Sequence, residues 1–198
     1  MVPSGLLDDL KVSHFCPGLA LRGYPGARVQ NVCADEIIYS LGDDEPMPHF
    51  VVLDLGTNDL EDSGPLVLAT RLFDLAEKLV AFGVLKVVIC QILHRGIGRA
   101  RNTNDFNTDA DKCNKYIRVM AEDHPHISIH YHKGMISFPV PKWSDDGLHP
   151  HGFKYMKSLR LAVQRAALSC QVILTSFIFI FYKKKKFTLG FNFASMFI

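Results

Sequence analysis

The chain has 198 residues, of which 48% are hydrophobic and 21% charged, with a net charge of +2. That is length enough for one domain with a real core, and the balance excludes a disordered chain. It also excludes a basic field of the kind that binds nucleic acid, because four of the 22 cations sit in the run KKKK at 183–186 and the remainder is slightly acidic.

Residues 1–14, MVPSGLLDDLKVSH, carry no basic segment followed by a long apolar run, so they do not read as a signal peptide. Residues 18–23, GLALRG, read as a short strand, and YPGAR reads as a turn that leads into a helix over about 29–40. After the loop GDDEPMPH, residues 50–55 form a continuous apolar run without alternation, the pattern of a strand covered on both faces. PLVLATRLFDLAEKLVAFG at 65–83 is an amphipathic helix opened by Pro65 and stopped by Gly83. Its apolar face is Leu68, Leu72, Leu75, Leu79 and Phe82. A second buried strand follows at 84–93. The basic loop HRGIGRARNTND comes next and reads as a solvated loop; its GIG is a weak dinucleotide signal. A helix over about 106–122 carries Cys113, Ile117 and Met120 on one side, HISIHYH is a further strand, and Pro150 opens a last helix to about residue 169. Strands alternating with helices imply βαβ units and a mainly parallel sheet with helices on both faces.

In such sheets functional side chains gather beyond the carboxyl ends of the strands. Gly56, Thr57, Asn58 and Asp59 stand there, although GTND alone is equally a turn sequence. A second polar group, WSDDGLHPHG, places Asp146 three residues before His149. A carboxylate can fix the tautomer of an imidazole and stabilise its charged form, which makes His149 a usable general base. Such a pair needs a hydroxyl or thiol nucleophile and donors for a developing oxyanion. Asn58 could offer a side-chain N–H, and Gly26 in YPGAR a backbone N–H.

These blocks resemble the SGNH (GDSL-type) hydrolases. VVLDLGTND is similar to that family's G-x-N-D block and DGLH to its D-x-x-H block, while YPGAR stands for its oxyanion glycine and KVVICQILHR lies where the family has its fourth strand. The resemblance spans about residues 4–168. It implies a three-layer α/β/α fold with a flavodoxin-like parallel sheet, and ester or thioester hydrolysis through a serine acyl-enzyme. By the same resemblance His149 is the base, Asp146 its partner, and Asn58 and Gly26 the oxyanion donors. The implied substrate is a small-molecule, lipid or sugar ester, with no nucleic-acid partner. The family's Gly-Asp-Ser block is missing. Ser4, between Pro3 and Gly5, is the weak candidate nucleophile in its place, and the alternative is a catalytically inactive relative or binding module.

The family carries its nucleophile after a first strand in the middle of the sheet, and here that strand is apparently missing. A gap would then separate the strands at 18–23 and 50–55, with unpaired buried backbone groups costing about 1–3 kcal/mol each. The apolar run 172–182, VILTSFIFIFY, is expected to fill that gap as a substitute strand. Its composition fits a strand as well as an anchor, and a membrane anchor through residues 166–182 is the less favoured reading. The abrupt change in composition divides the chain into an SGNH-like domain at 1–169 and a tail at 170–198 outside the ancestral domain.

Five scattered cysteines with no C-x-x-C pair suggest isolated thiols in a reducing, intracellular setting. His130 and His132 share a face of their strand and could bind a metal, but no carboxylate or cysteine stands at convincing ligand spacing. No metal or other cofactor is expected.

Overall fold

The computed structural model describes residues 19–23, 27–32, 34–39, 47–96, 102–133, 135, 152–170 and 177–181. In chain order the elements are β1 (Leu19–Gly23), a 3-10 turn (Val29–Asn31), α1 (Ala34–Tyr39), β2 (Phe50–Asp54) and a second 3-10 turn (Asp59–Glu61). Then come α2 (Pro65–Ala81), β3 (Lys86–Cys90), α3 (Thr103–Glu122), β4 (Ile127–His130), α4 (Gly152–Ser169) and β5 (Phe177–Phe181).

The five strands form one parallel sheet in the order β1-β5-β2-β3-β4. The tail strand therefore lies between β1 and β2, in the place the sequence left open. Leu19 is paired with Phe177 on one side of β5, and Val51 with Ile178 on the other. With β5 in the place of a first strand, the arrangement is the flavodoxin-like order 2-1-3-4-5.

The unalternating apolar runs of β2 and β3 arise because both faces of the sheet are covered. Val51, Leu53, Val87 and Ile89 pack beneath α2 and α3, with Leu68, Leu72, Leu79, Phe106 and Ile117. Phe50, Val52, Val88 and Cys90 point the other way and meet Leu159, Ala162, Val163 and Ala166 of α4. The side-chain period of two sorts one strand into two cores. That division later decides which polar groups meet.

Three expectations need correction. The helix expected over 29–40 is a 3-10 turn followed by the short α1, with Val32 extended between them. Buried Val29 and Val32 pack inward on the α2 side, and an acceptor outside the segment takes the Val29 N–H, so the chain is fixed by tertiary contacts rather than by a helical ladder. Phe82 is 40% exposed instead of joining Leu68, Leu72, Leu75 and Leu79 in the core, because α2 ends at Ala81 and Gly83 turns the chain away with φ 108°. Finally, α3 begins at Thr103, earlier than expected, since the Asn102 side chain caps it by accepting the Asn104 N–H at 2.8 Å.

Among the described residues no helix is long and apolar enough to cross a membrane. Within 166–182, the described parts are the end of α4 and the strand β5.

Candidate functional site

The chain leaves β2 through Leu55 and Gly56. Gly56 has φ 107°, and a β-carbon there would lie 2.9 Å from Ile92 Cδ1 and 3.4 Å from both Leu68 and Leu72. Both the backbone angle and the close packing require glycine at this point. The Gly56 carbonyl accepts the N–H groups of Asp59 and Leu60 at 3.0 and 3.2 Å, which opens the 3-10 turn. GTND is thus a turn, and it is a turn at the carboxyl end of a buried strand.

Two side chains of that turn clamp the segment 27–32. The Asp59 carboxylate, 1% exposed, accepts the Val29 N–H on both oxygens at 2.9 and 3.1 Å. Burial raises its pKa, while the Val29 hydrogen bond and the Arg28 charge oppose the rise. The Asn58 amide donates one N–H to the Ala27 carbonyl at 3.2 Å. A primary amide has a second N–H, and Asn58 has no other partner among the described residues. Arg28 pairs with Asp62 across the same junction.

From the other side the turn is braced by Arg95. Its guanidinium donates to the Thr57 carbonyl at 2.9 Å, pairs with Glu61, and lies 4.1 Å from the centre of the Phe106 ring. The expectation of a solvated loop fails here, since His94 is 9% and Arg95 3% exposed. Residues 97–101 of that loop lie outside the described residues. Two asparagines of α3 explain the burial. Asn114 accepts the Ile92 N–H at 2.7 Å and donates to the Ile92 carbonyl at 2.8 Å. Asn107 does the same for Arg95 at 2.8 and 3.1 Å. Spaced seven apart on one helix face, they satisfy the backbone after β3 as a neighbouring strand would. Neither was singled out in the sequence; their only signal was an amide on the apolar face of a helix.

Of the residues expected to act together, Asn58 is placed at the carboxyl end of β2. Ser4, Gly26, Asp146 and His149 lie outside the described residues.

A second polar group was not anticipated as a unit. Asp54, Cys90 and His132 project from the carboxyl ends of β2 and β3 and from just beyond β4, on the α4 side. The Tyr155 hydroxyl donates to Asp54 Oδ2, and Ser158 Oγ lies 2.9 Å from His132 Nδ1 and 3.1 Å from His130 Nε2. Burial pushes the Asp54 carboxyl up to about 7 and drives the His130 and His132 imidazoles down to about 4 and about 3. His130 is lowered further by the Arg165 charge, and His132 by His130. The Cys90 thiol is raised well above its usual value by burial and by the Asp54 charge.

A five-stranded parallel sheet in flavodoxin order with helices on both faces makes a three-layer α/β/α fold with a flavodoxin-like sheet. Among solved structures, the chain is similar to a GDSL-like lipase from Bacteroides thetaiotaomicron VPI-5482, with a TM-score of 0.60 and 19% identity over 74% of each chain. At that identity the likeness is one of fold. No protein-family model matches the sequence, and no curated protein matches it significantly.

Proposed function

We propose that the protein is an SGNH-type ester hydrolase working through a serine acyl-enzyme. The observation that carries this reading is the Asn58 amide. It stands at the carboxyl end of β2 in a turn fixed from both sides, with one N–H uncommitted among the described residues. A donor held in this way needs no reorganisation when charge develops on a carbonyl oxygen. In the proposed cycle Asp146 orients His149, and His149 takes the proton of the Ser4 hydroxyl as its oxygen attacks the ester carbonyl. Asn58 and the Gly26 N–H receive the oxyanion. Collapse expels the alcohol with the proton from His149, and water then frees the acid by the same steps in reverse. The substrate class is a small-molecule, lipid or sugar ester.

Asn58→Ala is expected to lower kcat for p-nitrophenyl ester hydrolysis by roughly 10²–10³ with the fold intact, the usual cost of one oxyanion donor. Unchanged turnover would remove Asn58 from the mechanism. His149→Ala and Asp146→Asn should each cut hydrolysis sharply, and Ser4→Ala should abolish labelling by a fluorophosphonate.

One observation favours a second reading, an inactive SGNH-like binding module. The strand between β1 and β2 is β5, and the residues that follow it in the chain are Tyr182 and the lysine run at 183–186, with no serine. On that reading the tail at 170–198 is an addition to the ancestral domain. A folded chain that neither hydrolyses esters nor takes up the fluorophosphonate would establish it.

A further inference from the structure

The parity of the strands brings three donor atoms of different kinds together. Residues 50 and 52 of β2 and 88 and 90 of β3 face α4, so Asp54 belongs to that face too, and Cys90 ends β3 beside it. His132 arrives from just beyond β4. One ligand atom from each of Asp54, Cys90 and His132 lies within 4.8 Å of the other two. His132 is 0% exposed, and its Nε2 has no hydrogen-bond partner although its Nδ1 is engaged by Ser158. A buried ring nitrogen left without a partner is uncommon and calls for an occupant.

We propose that Asp54, Cys90 and His132 bind one divalent cation of the zinc class. A carboxylate oxygen, a thiolate and an imidazole nitrogen form a mixed donor set suited to a borderline-soft ion. Tetrahedral ligands on bonds of about 2.0–2.3 Å stand about 3.3–3.8 Å apart, so the side chains need close in by at most about 1–1.5 Å. The surrounding contacts suit the task. With His132 Nδ1–H donating to Ser158 Oγ and the Ser158 hydroxyl donating to His130 Nε2, the lone pair of His132 Nε2 is free for the ion. Tyr155 steadies the Asp54 carboxylate from α4. Three protein ligands leave a fourth position for water or another small ligand. The site uses none of Ser4, Gly26, Asn58, Asp146 or His149, so it stands or falls apart from the ester-hydrolase reading.

The test is a titration of the chelator-treated, reduced full chain with Co²⁺, followed by competition with Zn²⁺. One Co²⁺ per chain should bind with tetrahedral visible bands and a near-ultraviolet thiolate-to-cobalt band, all erased by stoichiometric Zn²⁺. Cys90→Ser should lose the thiolate band, and Ser158→Ala should weaken Co²⁺ binding by about 10–100-fold while circular dichroism stays native. Absence of the thiolate band in the wild-type chain, or its survival in Cys90→Ser, overturns the proposal. Should Cys90→Ser fail to fold, X-ray absorption of the Zn²⁺-loaded wild-type protein decides instead. One sulfur among nitrogen and oxygen neighbours supports the site, and any other sulfur count overturns it.

Discussion

A chain ended at Cys170 should lose its cooperative thermal transition or fail to accumulate as soluble protein. The cut removes β5, which pairs with β1 along five register positions and with β2 along four. In a parallel ladder about half of a strand's backbone groups point to each neighbour, so about four groups of β2 would be orphaned. Phe50, Val51, Val52 and Leu53 are all 0% exposed with β5 in place, so the cut also opens the apolar edge of β2 to water. The lost hydrogen bonds, at about 0.5–1.5 kcal/mol net each, cost about 2–6 kcal/mol, a large part of the whole stability of a domain at about 5–15 kcal/mol. β1 would in addition be cut off from the sheet. A truncated chain that melts within a few degrees of the full one, measured by circular dichroism, would show that β5 is dispensable.

Arg95→Ala should cost about 3–5 kcal/mol, the usual result of removing one partner from a buried ion pair. Glu61 would keep a carboxylate whose side chain is only 11% exposed, with one oxygen already lacking a partner. The Thr57 carbonyl would lose its donor and the Phe106 ring its cation. For a chain of this size the loss corresponds to a fall in Tm of about 6–20 °C. The penalty is mostly that of the stranded carboxylate. Arg95→Met combined with Glu61→Gln should therefore melt above Arg95→Met alone. A shift under 2 °C for Arg95→Ala, or no recovery in the double variant, would contradict the brace assigned to Arg95.

The strands were legible because their cause is local in sequence: β2 and β3 are apolar on both faces, and their runs are too short and too rich in valine and isoleucine for a buried helix. The position of β5 was legible by a different route, since a parallel sheet with a gap has backbone groups that something must satisfy. Helix α2 was visible through Pro65, Gly83 and its leucines, whereas the turn at 29–31 was not, because the acceptor that shapes it is the carboxylate of Asp59 thirty residues away. Arg95 misled for the same reason. An arginine in a run of cations reads as solvated until Glu61, Asn107 and Phe106 are known to converge on it. Asp54, Cys90 and His132 lie far apart in the sequence, so ligand spacing along the chain could not reveal them. Only the strand order β2-β3-β4 makes them neighbours. The place of Asn58 at the carboxyl end of β2, by contrast, was legible from the glycine and the polar residues that end its strand.

Of the sheet's three interior strands, β5 is also the one made after all the other described strands. While residues up to about 170 are emerging, β2, β3 and β4 can pair and gather α2 and α3 on one side. Among the described residues, β1 has no adjacent partner until β5 has been made, because the ladder from β1 to the rest of the sheet runs through β5. Closing contacts between Leu19 and Phe177 spans nearly the whole chain, and contacts of such sequence separation form slowly. In that interval two strand edges stay open to any other extended chain. Refolding should therefore be slow and concentration-sensitive, with aggregation competing until β5 is in place.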